Sequence, residues 1–92
     1  MPHHEDSPEK MAKMDAWLET AAKELGVDRS TLDEAKQPLL DMVSTISHGP
    51  SRPGAPLTAF LVGLAAGQGG NAAVLANRLA RVAEQQQTHT QN

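Results

Sequence analysis

The stretch Pro56–Gly67, PLTAFLVGLAAG, decides the fold. From Leu57 to Ala66 it carries no charge, and Thr58 is its single polar side chain. Such a run is far shorter than the roughly 20 residues needed to cross a bilayer. It lacks the apolar–polar alternation of a half-buried strand, and no other segment of the chain has it. Pro56 suits the first turn of a helix, where its missing N–H is not required. A helix that is apolar on every side is expected to be buried on every side. Residues 57–66 are therefore expected to form a central helix. Gly63 lowers helix propensity by about 1 kcal/mol relative to Ala, so it is expected to serve the close approach of another helix.

Upstream lies His48–Pro56, HGPSRPGAP, whose density of prolines and glycines argues against regular structure. Its fixed φ angles make it stiffer than a Gly/Ser linker. Gly49 is expected to close the helix before it, which starts near Pro38 and runs to Ser47. Leu39, Met42, Val43 and Ile46 would face inward there, and Leu40 would face a neighbouring helix. Asp28 or Ser30 caps a short second helix containing Leu32 and Ala35. The first helix begins with Ser7 as N-cap, Pro8 at its first position and Glu9 in its first turn. Its apolar stripe is Met11, Met14, Leu18, Ala21, Ala22 and Leu25, with Trp17 alongside, and Gly26 ends it. Downstream, Gly67, Gly69 and Gly70 make a break. Asn71 caps a last helix with the stripe Val74, Leu75, Leu79, Val82 and Ala83, and with Arg78 and Arg81 outside. The expected fold is all-α, a compact bundle of about five short helices around the buried apolar helix 57–66. Residues 1–6 are expected to be a disordered N-terminus, 7–86 a single helical domain and 87–92 a disordered tail.

The 92 residues suit one domain, and 39% are apolar but only 2% aromatic, so Ala and Leu must supply most of the core. The absence of cysteine excludes disulfides, thiolate metal sites and cysteine nucleophiles. The formal charge of −3 does not suit nucleic-acid binding. No apolar h-region follows Met1, so a cytoplasmic protein is expected. Charge is unevenly spread. Residues 1–41 hold ten acids against five bases, whereas residues 42–92 hold Glu84 against Arg52, Arg78 and Arg81. Ordinary solvated helix faces give such variation, but a surface shared with a partner is also depleted in charge.

Searches for chemistry return little. His48 and His89 have no ligating residue at helical metal-site spacing, and no metal is assigned. Ser44, Ser47 and Ser51 lie near His48 without a nucleophile elbow. Gly63–Asn71, GLAAGQGGN, has neither a preceding strand nor the Gly-Lys-Ser/Thr of a phosphate loop. What remains is His48, Ser51 and Arg52 on a stiff loop. Arg52 either caps the carbonyls of the preceding helix or offers, with His48, a docking point for a carboxylate, a phosphate or a partner chain. Arg78 and Arg81 are secondary candidates for such a contact.

Three groups of residues carry a family resemblance: Met14–Leu18 (MDAWL), Leu25–Gly26, and His48–Gly67 (HGPSRPGAPLTAFLVGLAAG). Across about residues 14–84 the chain resembles a small helical domain of uncharacterised function from high-GC Gram-positive bacteria. That domain is found near formate dehydrogenase genes or fused to molybdopterin-guanine dinucleotide guanylyltransferases. The first thirteen residues and the Gln-rich tail lie outside the resemblance, and Pro50 and Pro53–Gly54 depart from its loop pattern. The resemblance implies a non-catalytic accessory protein of a molybdenum-cofactor-dependent enzyme or of its cofactor maturation. It implies a protein partner, formate dehydrogenase or the guanylyltransferase, and only an indirect link to molybdopterin guanine dinucleotide. The alternative is a domain binding a pterin or nucleotide phosphate through the His48–Arg52 loop. An accessory protein should expose an apolar patch, through which a homodimer would also form. An anion binder should show a polar pocket at the loop.

Overall fold

The computed structural model describes residues 7–90, with side chains described through Gln86. The disorder expected of residues 1–6 lies outside the described residues, as do the last two residues of the tail. Among the described residues there are five α-helices and no strand, so the protein is all-α. Its contacts divide it into two units, Met1–Asp33 and Glu34–Asn92.

In the first unit, α1 spans Pro8–Leu25 and α2 spans Ser30–Asp33. Ser7 is extended and its hydroxyl oxygen accepts the Lys10 N–H, with Pro8 opening the helix as expected. Gly26 takes φ +69°, a left-handed conformation that favours glycine. Its N–H bonds the Lys23 carbonyl at 3.2 Å, and the Val27 N–H bonds the Ala22 carbonyl at 2.9 Å. Together these make a Schellman stop. Asp28, rather than Ser30, caps α2: its carboxylate accepts both the backbone N–H and the hydroxyl of Ser30. These hydrogen bonds, the backbone one first, hold its carboxyl below the usual 3.8. Ala35 falls beyond α2.

The second unit packs α3 (Lys36–Ser47), α4 (Gly54–Gly67) and α5 (Ala72–Thr90). Pro38 sits at the third position of α3, where no intrahelical donor is needed. The core is Met42, Ile46, Ala55, Val62, Ala76 and Ala83, flanked by Leu39, Val43, Ala59, Leu75 and Leu79. Burying Met42, Ile46 and Val62 contributes about 1.5–3 kcal/mol each, and the alanines bring the helix axes close.

Several expectations are corrected here. Leu40 is exposed rather than covered by a neighbouring helix, because the stripe 39/42/43/46 already defines the inner side of α3. Gly49 is not left-handed: α3 closes at His48, and the Ile46 carbonyl accepts the N–H groups of Gly49 and Ser51. Helix α4 begins at Gly54, inside the stretch expected to be irregular. Pro53 is already near helical angles, and the Ser51 hydroxyl accepts the Gly54 N–H at 3.0 Å. On α5, Asn71 does cap, accepting the Val74 N–H at 3.0 Å. The inward stripe is Ala72, Leu75, Ala76, Leu79, Ala80 and Ala83, while Val74 and Val82 face outward. The helix also continues through Thr90, into the segment expected to be a disordered tail.

The largest correction concerns residues 57–66. They do not form a buried centre. α3 makes the most extensive contacts in this unit, with both α4 and α5. Two neighbours bury only one stripe of α4, along Ala55, Ala59 and Val62. Its opposite side has nothing left to pack against in this unit.

Candidate functional site

The loop between α3 and α4 is ordered by its own polar groups. The Ser47 hydroxyl donates to the Val43 carbonyl at 2.6 Å, and His48 Nδ1 donates to the Ser44 carbonyl at 2.7 Å. A carbonyl only accepts, so this bond places the proton on Nδ1 and leaves Nε2 with a lone pair in the neutral ring. Ser51 is occupied as the cap of α4. A Cβ at position 54 would stand 2.9 Å from its hydroxyl oxygen, so glycine there permits the cap. The Arg52 carbonyl accepts the Ala55 N–H at 3.3 Å, but its guanidinium is exposed and caps no carbonyl of α3.

His48, Ser51 and Arg52 thus share one short loop, whereas Arg78 and Arg81 are exposed on α5. No hydrogen bond or ion pair among the described residues joins the two sets. Nor do three or more His, Asp or Glu side chains come together, among the described residues, in a way that could hold a metal ion. No helix is long and apolar enough to cross a membrane, among the same residues.

The prominent surface is the outer side of α4. Leu57 is 67% exposed, Phe60 64%, Leu61 60% and Leu64 48%. Their spacing of i, i+3, i+4 and i+7 places them in one stripe along the helix. No charged residue occurs between Arg52 and Arg78. The residue run was singled out from sequence, but for the opposite role. Uniform apolarity tells a buried helix from an amphipathic one only if enough neighbours exist to surround it, and the sequence does not count neighbours.

The first unit holds a feature that sequence reasoning missed. Arg29 reaches back to α1, pairing with Asp15 at 3.2 Å and Glu19 at 3.3 Å, and it donates to the Asp15 carbonyl. Asp33 stands 3.9 Å from its Nε. Asp15 and Glu19 four residues apart on α1 were the available signal, since one guanidinium spans both. Beside this hub, Leu18, Ala21, Ala22, Leu25, Val27 and Leu32 line an open apolar cleft of about 190 Å³.

No curated protein and no solved structure matches the chain at a significant level. A family described as a domain of unknown function, DUF6457, matches residues 9–92, nearly the whole chain, and the protein belongs to that family.

Proposed function

We propose that this protein is a non-catalytic accessory domain that acts by protein–protein association. In this reading it serves a molybdenum-cofactor-dependent enzyme, formate dehydrogenase, or the guanylyltransferase that matures its cofactor. The observation that carries the association is the outward stripe Leu57, Phe60, Leu61 and Leu64. Contiguous exposed apolar side chains on a small domain mark interaction surfaces, and depletion of charge marks their centres. The class of enzyme is inferred from the resemblance of the His48–Gly67 run. The domain itself binds no cofactor in this account.

Affinity capture of the tagged chain from its native cells, followed by mass spectrometry, tests this reading. A formate dehydrogenase subunit or the guanylyltransferase is expected in the capture, and Phe60→Glu is expected to lose it. Repeated capture without any molybdoenzyme or cofactor-maturation protein would overturn the molybdenum link.

A second reading, binding of a pterin or nucleotide phosphate at the loop, is favoured by one observation. Arg52 is exposed, with no ion pair among the described residues, and lies four residues from the exposed His48 on the same loop. Calorimetry with guanosine monophosphate would then show heat that Arg52→Ala abolishes. Equal heat from both proteins would remove the loop from the account.

A further inference from the structure

We propose that the outer face of α4 docks onto the same face of a second copy of this chain, the two helices antiparallel across a two-fold axis. This rests on reading α4 as an association surface: the second copy takes that face, and the dimer it makes is what the enzyme partner binds, so Phe60→Glu loses both.

Spacing comes first. Leu57, Phe60, Leu61 and Leu64 are symmetric about the midpoint between Phe60 and Leu61. A two-fold axis through that midpoint sets Leu57 against Leu64 of the partner subunit, and Phe60 against Leu61 of the partner subunit. A two-fold interface needs such self-complementarity, because one patch must fit itself.

Charge is compatible with a copy and decides between the two directions. The face carries no charge from Pro53 to Asn77, so it meets no like charge when paired with itself. Arg52 stands just before the N-terminus of α4. Parallel packing would bring the two Arg52 cations to the same end. Antiparallel packing separates them by about 21 Å of helix and opposes the two helix dipoles.

Area sets the strength. The four side chains together expose on the order of 400 Å² of apolar surface. Two such faces with their rims reach the roughly 1,000 Å² at which specific interfaces begin. The dimer is therefore reversible and concentration-dependent.

The chain has no cysteine of its own, so single-cysteine variants report the pairing. Leu57→Cys and Leu64→Cys chains are mixed under mild oxidation and the disulfides identified by mass spectrometry. The mixed 57–64 link is expected to exceed both like-with-like links several-fold. In sedimentation equilibrium, the unmodified chain is expected to show monomer and dimer. Phe60→Glu should be monomeric with an unchanged helical circular dichroism signal. Dominant 57–57 and 64–64 links, or an unmodified chain that stays monomeric at every concentration, would overturn the proposal. If that monomer still captures its enzyme partner and Phe60→Glu loses it, α4 binds a different protein and the accessory reading stands. If Phe60→Glu captures as well as the unmodified chain, the association reading of α4 falls too.

Discussion

Val62 and Phe60 stand two residues apart on α4, and a glutamate at each position should have opposite consequences. Val62 is buried against Met42 and the alanines of the core. A carboxylate there has no partner, and an unpaired polar group in such a site costs several kcal/mol. Val62→Glu is expected to abolish the cooperative thermal transition followed by circular dichroism. Phe60 is exposed in the monomer, so Phe60→Glu is expected to change stability by no more than about 0.5 kcal/mol in a melt of the dilute, monomeric chain. Asp28 offers a pH test. Its carboxyl is held below 3.8 by Ser30, so its capping contribution is present above that pH. The contribution is lost as the pH falls through its lower, folded-state value. The Ser30 amide resonance should therefore shift in acid, and Asp28→Ala should remove that titration. Capping residues were readable in advance, because Ser7, Gly26 and Asn71 act through bonds to backbone three or four residues away. Arg29 was not, because its partners Asp15 and Glu19 lie ten or more residues back.

At the scale of elements, helices were recognised wherever one apolar stripe opposed a polar side, as in α1 and α3. Boundaries failed where proline was taken only as a breaker. Pro53 instead stands as the N-cap of α4, and Pro56, read from the start as a first-turn residue, lies within that turn, which needs no donor from either. Glycine was over-read in a similar way. A Cβ at position 63 would meet nothing within 4 Å, so no close approach requires Gly63. Gly63→Ala is expected to stabilise the fold by about 0.5–1 kcal/mol through helix propensity alone. That corresponds to a rise of a few degrees in Tm by differential scanning calorimetry. Removing the α5 cap should act in the other direction. Asn71→Ala is expected to cost about 1 kcal/mol, read as a lowered denaturation midpoint with an unchanged slope.

At the scale of the molecule, the all-α class followed from pattern, while the place of α4 did not. An uncharged ten-residue run can be surrounded by protein or left with one side for a partner, and local sequence is the same in both cases. The second unit has two helices to cover α4, and Leu57, Phe60, Leu61 and Leu64 remain outside their reach. The candidate residues of the loop were found by composition. Their bonding was not foreseen: Ser51 is engaged as a cap, and Arg52 has no ion pair among the described residues. The most direct measurement of the central claim is photochemical carbene labelling of the intact chain, dilute and concentrated, with residues located by mass spectrometry. Phe60 and Leu61 should label strongly in the dilute chain and lose label on concentration, while Met42 and Val62 stay unlabelled throughout. Phe60 and Leu61 protected even in the dilute chain, or labelled equally at every concentration, would contradict it.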